Sequence, residues 1–205
     1  MNHIVYEFWT CFISIIVQYQ SITIFIWELS VSKDDIFFYQ IHQIFFNGNY
    51  SFFVSLTKNL DCCITEDWER TMQVNLNSSL YLIRDLYDAI PHNSRIIFIG
   101  SLMGVHPHGT SLAYGVSKAA VHALALNLVK SFEATDTTVN AIAPGFVETE
   151  WQASKPAEIR QNIYAKSAVK RFASPDEVAD AVMFCVRNAF VNGSVLELSG
   201  GYSFK

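Results

Sequence analysis

RIIFIGSLMGVHPHGTSLAYGVSK, residues 95–118, is the stretch whose reading decides the fold. RIIFI is a short apolar run without alternation, as expected of a strand covered on both faces. Gly100 ends it, and the Gly-, Pro- and His-rich segment Gly104–Ser111 reads as a connection. From Ala113 the pattern turns helical, with small and apolar residues recurring every three or four positions. Tyr114 and Lys118 are four apart, one turn along one helix face. An ammonium beside a phenol stabilises phenolate, so Lys118 is expected to lower the Tyr114 pKa. Ser101, at the end of the preceding strand, can point its hydroxyl into the same space. A proton donor with a second hydrogen-bonding hydroxyl is the equipment for interconverting a carbonyl and an alcohol.

Ser101, Tyr114 thirteen residues on and Lys118 four beyond that resemble the Ser–Tyr–Lys signature of the short-chain dehydrogenases/reductases. Neighbouring segments extend the likeness. IGSLMG is similar to that family's strand-end motif, and AYGVSKAAV to its helix start. VNAIAPGFVET (residues 139–149) resembles its strand and Pro-Gly loop. DWERTMQVNL (67–76) resembles its Asn-bearing helix segment, and VNGSVLELSGGYSF (191–204) its last strand and closing Gly-Gly. The resemblance runs over residues 64–205 and is nearest to the 3-oxoacyl-acyl-carrier-protein reductases. It implies an α/β fold with a Rossmann-like, doubly wound parallel sheet and helices on both faces. It also implies a catalytic set of Asn75, Ser101, Tyr114 and Lys118, with Asn75 holding a water in a proton relay. By the same likeness Tyr114, Lys118, Pro144, Gly145, Val147 and Thr149 would hold NADP or NAD, with NADP favoured. The substrate would be a small carbonyl or acyl compound of 3-oxoacyl type, as in fatty acid biosynthesis. The site of action would be the cytoplasm, and the assembly a homo-oligomer, dimer or tetramer, formed through the helices of residues 65–90 and 113–132.

At 205 residues, 51% of them hydrophobic and 16% charged, the chain can bury a sizeable core and is not disordered. A net charge of −5 without a basic stripe gives no nucleic-acid footprint. Cys11, Cys62, Cys63 and Cys185 have neither metal-like nor disulfide-framework spacing and read as reduced thiols. His106-x-His108 lacks a third ligand nearby in sequence, so no metal is expected.

Residues 1–60 differ in kind from the remainder of the chain. They contain no Ala, Pro or Arg, a single glycine (Gly48) and nine of the sixteen Phe. A dinucleotide-binding fold opens with a strand and a Gly-rich turn at a helix N-terminus, where backbone N–H groups meet the pyrophosphate. Nothing in these residues supplies that turn. The uncharged run Phe8–Trp27 is long enough to span a bilayer. Gln18 and Gln20 dilute it and no Lys or Arg precedes it, while its β-branched and aromatic content suits buried strands. Three readings stand: strands of a remodelled sheet, a membrane span, or an aberrant start replacing the nucleotide-binding half. The chain accordingly divides into an atypical apolar segment, 1–60, and a catalytic α/β region, 61–205, the N-terminal third of the fold being incomplete or remodelled. IHQIFFNGN (41–49) sits where the family has its fourth strand and following turn.

Farther on, Thr65 is expected to cap a helix in which Trp68, Met72, Leu76, Leu80 and Ile83 recur at helical spacing. Residues 148–166 read as a substrate lid. SPDEVADAVMFCVRN carries a capping box, with Ser174 as cap, Pro175 first in the helix and Glu177 closing the box. Cys185 falls on that helix's apolar side. His122, four residues after Lys118, is read as packing. The sequence therefore supports an NAD(P)-dependent carbonyl reductase with Tyr114 as proton donor. The rival is a catalytically silent or truncated relative that serves as an oligomer-forming subunit; a third reading is a reductase tethered through residues 8–27.

Overall fold

The computed structural model describes residues 12–18, 21–31, 36–45, 64–106 and 112–202, the first three stretches and residues 150 and 151 by their backbone alone. Cys11, Cys62, Cys63, His108 and the turn at residues 46–49 lie outside them.

Six strands form one sheet in the order β3-β2-β1-β4-β5-β6. They are β1 (Phe12–Gln18), β2 (Ser21–Val31), β3 (Ile36–Phe45), β4 (Arg95–Ile99), β5 (Thr138–Pro144) and β6 (Val195–Leu198). β1, β4, β5 and β6 are parallel, paired Phe12↔Arg95, Arg95↔Thr138 and Ala141↔Val195. β2 and β3 continue the sheet beyond β1 as antiparallel strands, with a register shift between Phe25 and Trp27. β1 and β2 take up most of the uncharged run Phe8–Trp27. β3, which contains residues 41–45, lies at the far edge rather than beside β4, so it does not occupy the family's fourth-strand position.

The apolar run of β4 is covered on both faces. Ile96 and Phe98, each 1% exposed, pack with Val139 and Ala141 under Ile83, Val121 and Ala125. These come from α2 (Ser78–Leu86) and α3 (Leu112–Leu128). Ile97 and Ile142 face the other way, against Ala181, Cys185 and Val186 of α6 (Pro175–Arg187). Period-2 alternation of side chains thus feeds two cores from one strand. Arg95, also buried, donates to the carbonyls of Asn93, Ser94, Asp136 and Val186. A cation at the carboxyl end of α6 meets that helix's negative pole.

Between α1 (Thr65–Met72) and α2 the helix widens into a π turn, Gln73–Asn77. Thr65 does not cap α1. The cap position is Ile64, without a side-chain bond, and Thr65 is the first helical residue. Leu80 is 39% exposed, and the buried positions of α2 are Ser79 and Ile83. The capping box at Ser174 forms as read, with Glu177 N–H donating to Ser174 Oγ and Ser174 N–H to Glu177 Oε2. Helices α4 (Glu150–Ala153) and α5 (Ala157–Lys166) follow β5. One helical stretch among the described residues, Leu112–Phe132, is long and apolar enough to cross a membrane, and its buried positions lie in the core.

Candidate active site

The carboxyl end of β4 organises the site, as strand ends do in open α/β sheets. Gly100 N–H bonds the Ile142 carbonyl at 2.7 Å, so the chain leaves the sheet at Ser101. Ser101 is extended (φ −164°, ψ 151°), and its hydroxyl caps the short 3-10 turn Leu102–Gly104 by accepting from Met103 N–H at 3.2 Å. α3 then returns across the sheet and brings Tyr114 and Lys118 to the same point.

Tyr114 and Ser101 are joined by a side-chain hydrogen bond. Lys118 Nζ donates to the Ile99 carbonyl at 2.9 Å and lies 5.7 Å from the Tyr114 ring centroid. Burial lowers the Lys118 pKa from 10.5 to about 8. The Tyr114 phenol runs opposite to the sequence expectation. Burial raises its pKa, against a smaller lowering by the Ser101 hydroxyl, and the ammonium does not reverse the sign. The reason is geometric: Lys118 is turned to a strand carbonyl instead of to the phenol oxygen. In this state Tyr114 is a neutral, protonated acid.

Asn75 sits in the π turn, a form frequent at functional sites. Its Nδ2 donates to Ser117 Oγ at 2.8 Å, and Ser117 Oγ donates to the Tyr114 carbonyl at 2.8 Å. Asn75 is thereby fixed to α3 one residue short of Lys118. Nothing in the sequence pattern marks Ser117 as its partner.

The loop after β5 lies at the neighbouring strand end. Gly145 N–H bonds the Leu198 carbonyl at 2.9 Å, holding Pro144 and Gly145 against β6. Phe146 and Glu148 pair with Ala173, through Ala173 N–H to the Phe146 carbonyl and Glu148 N–H to the Ala173 carbonyl. Val147 forms the bridge to Ala173 between them. Thr149 Oγ1 accepts from Gln152 N–H at 3.5 Å, at the start of α4. Arg160, which sequence reading missed, clamps this loop to α5. It grips Glu148 with two bonds of 2.9 and 2.7 Å, donates to Tyr164 Oη at 2.7 Å and lies 4.9 Å over the Phe172 ring. A charge pair twelve residues apart carries no local periodic signal.

The donor set fits a nicotinamide nucleoside. The buried ammonium of Lys118 bonds one carbonyl, leaving further N–H donors beside the phenol for ribose hydroxyls. Val147 N–H lies between the two loop bonds to Ala173 without taking part in either. For the phosphates the described residues offer less: β1 passes into β2 after two residues and β2 into β3 after four, and residues 12–45 contain no glycine. No metal-holding cluster of three His, Cys, Asp or Glu occurs among the described residues. His106 instead pairs with Glu197 at 3.2 Å.

A family model described as enoyl-(acyl carrier protein) reductase matches residues 41–203. The short-chain dehydrogenase/reductase SDRA of Arabidopsis thaliana is 32% identical over 137 residues, 65% of this chain and 54% of that protein. The 3-oxoacyl-(acyl-carrier-protein) reductase FabG of Aquifex aeolicus is 32% identical over 139 residues, 66% of this chain and 56% of that protein. Among solved structures, the angucycline C-6 ketoreductase LanV with bound NADP superposes with a TM-score of 0.65 at 25% identity, covering 69% of this chain and 56% of that one. The chain spans a little over half the length of the curated relatives it matches.

Proposed function

The chain belongs to the short-chain dehydrogenase/reductase family, and from that premise we propose that it reduces a carbonyl to an alcohol with NADPH or NADH. The observation that carries this reading is the meeting of a neutral phenol, a hydroxyl bonded to it and a buried ammonium at one strand end. The nicotinamide, when bound, supplies the hydride. Ser101 hydrogen-bonds the substrate oxygen as negative charge develops there. Tyr114, kept protonated by burial, delivers its proton to that oxygen. Lys118 holds the nicotinamide ribose and, on turning toward the phenol, favours release of the proton. Asn75, braced on Ser117, continues the relay toward solvent. Gly145, Val147 and Thr149 line the nicotinamide side, with Pro144 setting the loop's departure from β5. The substrate class is a 3-oxoacyl compound, by likeness to the FabG relative, with a cytoplasmic place in fatty acid biosynthesis. The division at residues 60 and 61 separates the atypical segment from this machinery. Exposed Leu80, Tyr81, Val116 and Leu126 on α2 and α3 suit burial in a homo-oligomer.

One observation favours the rival reading of a silent, subunit-forming relative: the short connections β1–β2 and β2–β3 leave no room for a phosphate-binding helix among them. Titration of the purified protein with NADPH and then NADH, followed by nicotinamide fluorescence, separates the two. Micromolar binding, with oxidation of NADPH on adding a 3-oxoacyl thioester, is the expected result. No binding at millimolar nucleotide by a folded sample would overturn it in favour of the silent subunit.

A further inference from the structure

His122 is buried, 6% exposed, beneath the loop that carries Ser101. Its ring occupies the space of a missing side chain: a Cβ on Gly100 would lie 1.9 Å from His122 Nε2, and one on Gly104 3.0 Å from Cε1. Ser101 N–H donates to His122 Nε2 at 3.3 Å. The ring also hydrogen-bonds the Gly104 backbone. An Nε2 that accepts must carry its proton on Nδ1. The imidazole therefore bridges both ends of the 3-10 turn that Ser101 caps.

We propose that His122 is a positioning residue for the reductase reaction: its neutral imidazole, seated in the room left by Gly100, ties Ser101 N–H to the Gly104 backbone and so aims the Ser101 hydroxyl at Tyr114. This role rests on the reductase reading. A hydrophobic residue of equal size would fill the same volume but leave Ser101 N–H without a partner. The charged groups facing the ring are Lys118, one turn earlier on α3, and Glu197 from β6, itself paired with His106. Burial and Lys118 oppose protonation and outweigh Glu197, so the imidazole remains neutral below its ordinary value of 6.5. Protonation would turn Nε2 into a donor and break the bond to Ser101.

The test uses the full chain with NADPH and a 3-oxoacyl thioester, and compares His122→Leu, His122→Gln and the double variant Gly100→Ala/His122→Ala. His122→Leu should lose about tenfold or more in kcat with little change in KM, the size of effect expected from a misaimed catalytic hydroxyl. His122→Gln, whose amide oxygen can accept from Ser101 N–H, should recover most of that loss. It should also lack the fall in kcat on the acid side that the wild type shows as the imidazolium forms. Recovery in the double variant, which refills the space with a methyl group but makes no bond, would reduce His122 to filler. An imidazole 15N spectrum showing Nε2 protonated at neutral pH would equally overturn the proposal. A wild type that binds nucleotide yet turns nothing over refutes the underlying reductase reading instead, a result separable from any change among the variants.

Discussion

Replacing Lys118 by Met should make the protein more stable at neutral pH while removing its chemistry. Burial brings the Lys118 pKa from 10.5 in the open chain to about 8 in the fold. At roughly 1.4 kcal/mol per pH unit, keeping the ammonium charged inside the fold costs about 3 kcal/mol at pH 7. Between pH 8 and 10.5 the unfolded chain holds a proton that the folded one has released. Wild-type stability therefore gains from this group as pH rises through that window, and the gain is lost as pH falls back to 8. The methionine variant has no such dependence. It forgoes the bond from Nζ to the Ile99 carbonyl, which contributes about 1 kcal/mol. The variant should thus be about 2 kcal/mol more stable than wild type at pH 7, and level with it or slightly less stable by pH 10. Urea unfolding followed by tryptophan fluorescence at the two pH values measures the difference, since other groups titrate alike in both proteins. A stability difference that is the same at pH 7 and pH 10 would refute the reasoning.

Tyr114→Phe should cut kcat by about a hundredfold or more, as loss of a general acid does, while denaturation midpoints near pH 7 stay nearly unchanged; retained turnover would exclude the phenol as proton donor. Asn75→Ala removes the bond to Ser117 and should lower kcat more at high pH than at low if it serves proton return, whereas a uniform fall would mark a packing effect only. Arg160→Met severs the loop from α5; its side chain is largely covered and also bonds Tyr164 and the Gln152 carbonyl, so it should lower the urea midpoint, raise KM for the nucleotide and speed proteolysis within residues 148–166. Phe98→Ala, at a site 1% exposed between β4 and α3, should cost about 3–5 kcal/mol, read as a drop in urea midpoint at constant slope.

The central layer was readable because β4 carries the unbroken apolar run Ile96–Ile99, β5 is mostly apolar up to its Pro-Gly stop, and α6 carries a complete capping box, signals that do not depend on distant residues. Tyr114 and Lys118 declared themselves through a single helical turn. The features that stayed hidden depend on contacts far apart in the chain. The turning of Lys118 toward the Ile99 carbonyl, which leaves the Tyr114 pKa raised instead of lowered, needs the strand end in place. Asn75 finding Ser117, forty-two residues away, and Arg160 finding Glu148 have no periodic signature. His122 was visible as a residue on the Lys118 face, but its role shows only once Gly100 is seen to vacate the space it fills. Residue Thr65 looked like a cap on composition, and the helix begins one residue sooner because Ile64 is extended and its carbonyl already accepts from Trp68 N–H.

The π turn at Gln73–Asn77 holds one residue more than an α-helical turn would, so α2 lags α1 by about one residue's rotation, ~100°. That surplus is rotational slack. The hydrophobic phase of α2 is set by Ile83 against the sheet, while the phase of α1 is free to follow a different register. Aim at the site and anchorage to the core are thereby uncoupled within one helix. Removing a single residue from 73–77 would knit the two halves into one regular helix and force a choice between them: either Asn75 keeps facing Ser117, or Ile83 keeps its place in the core.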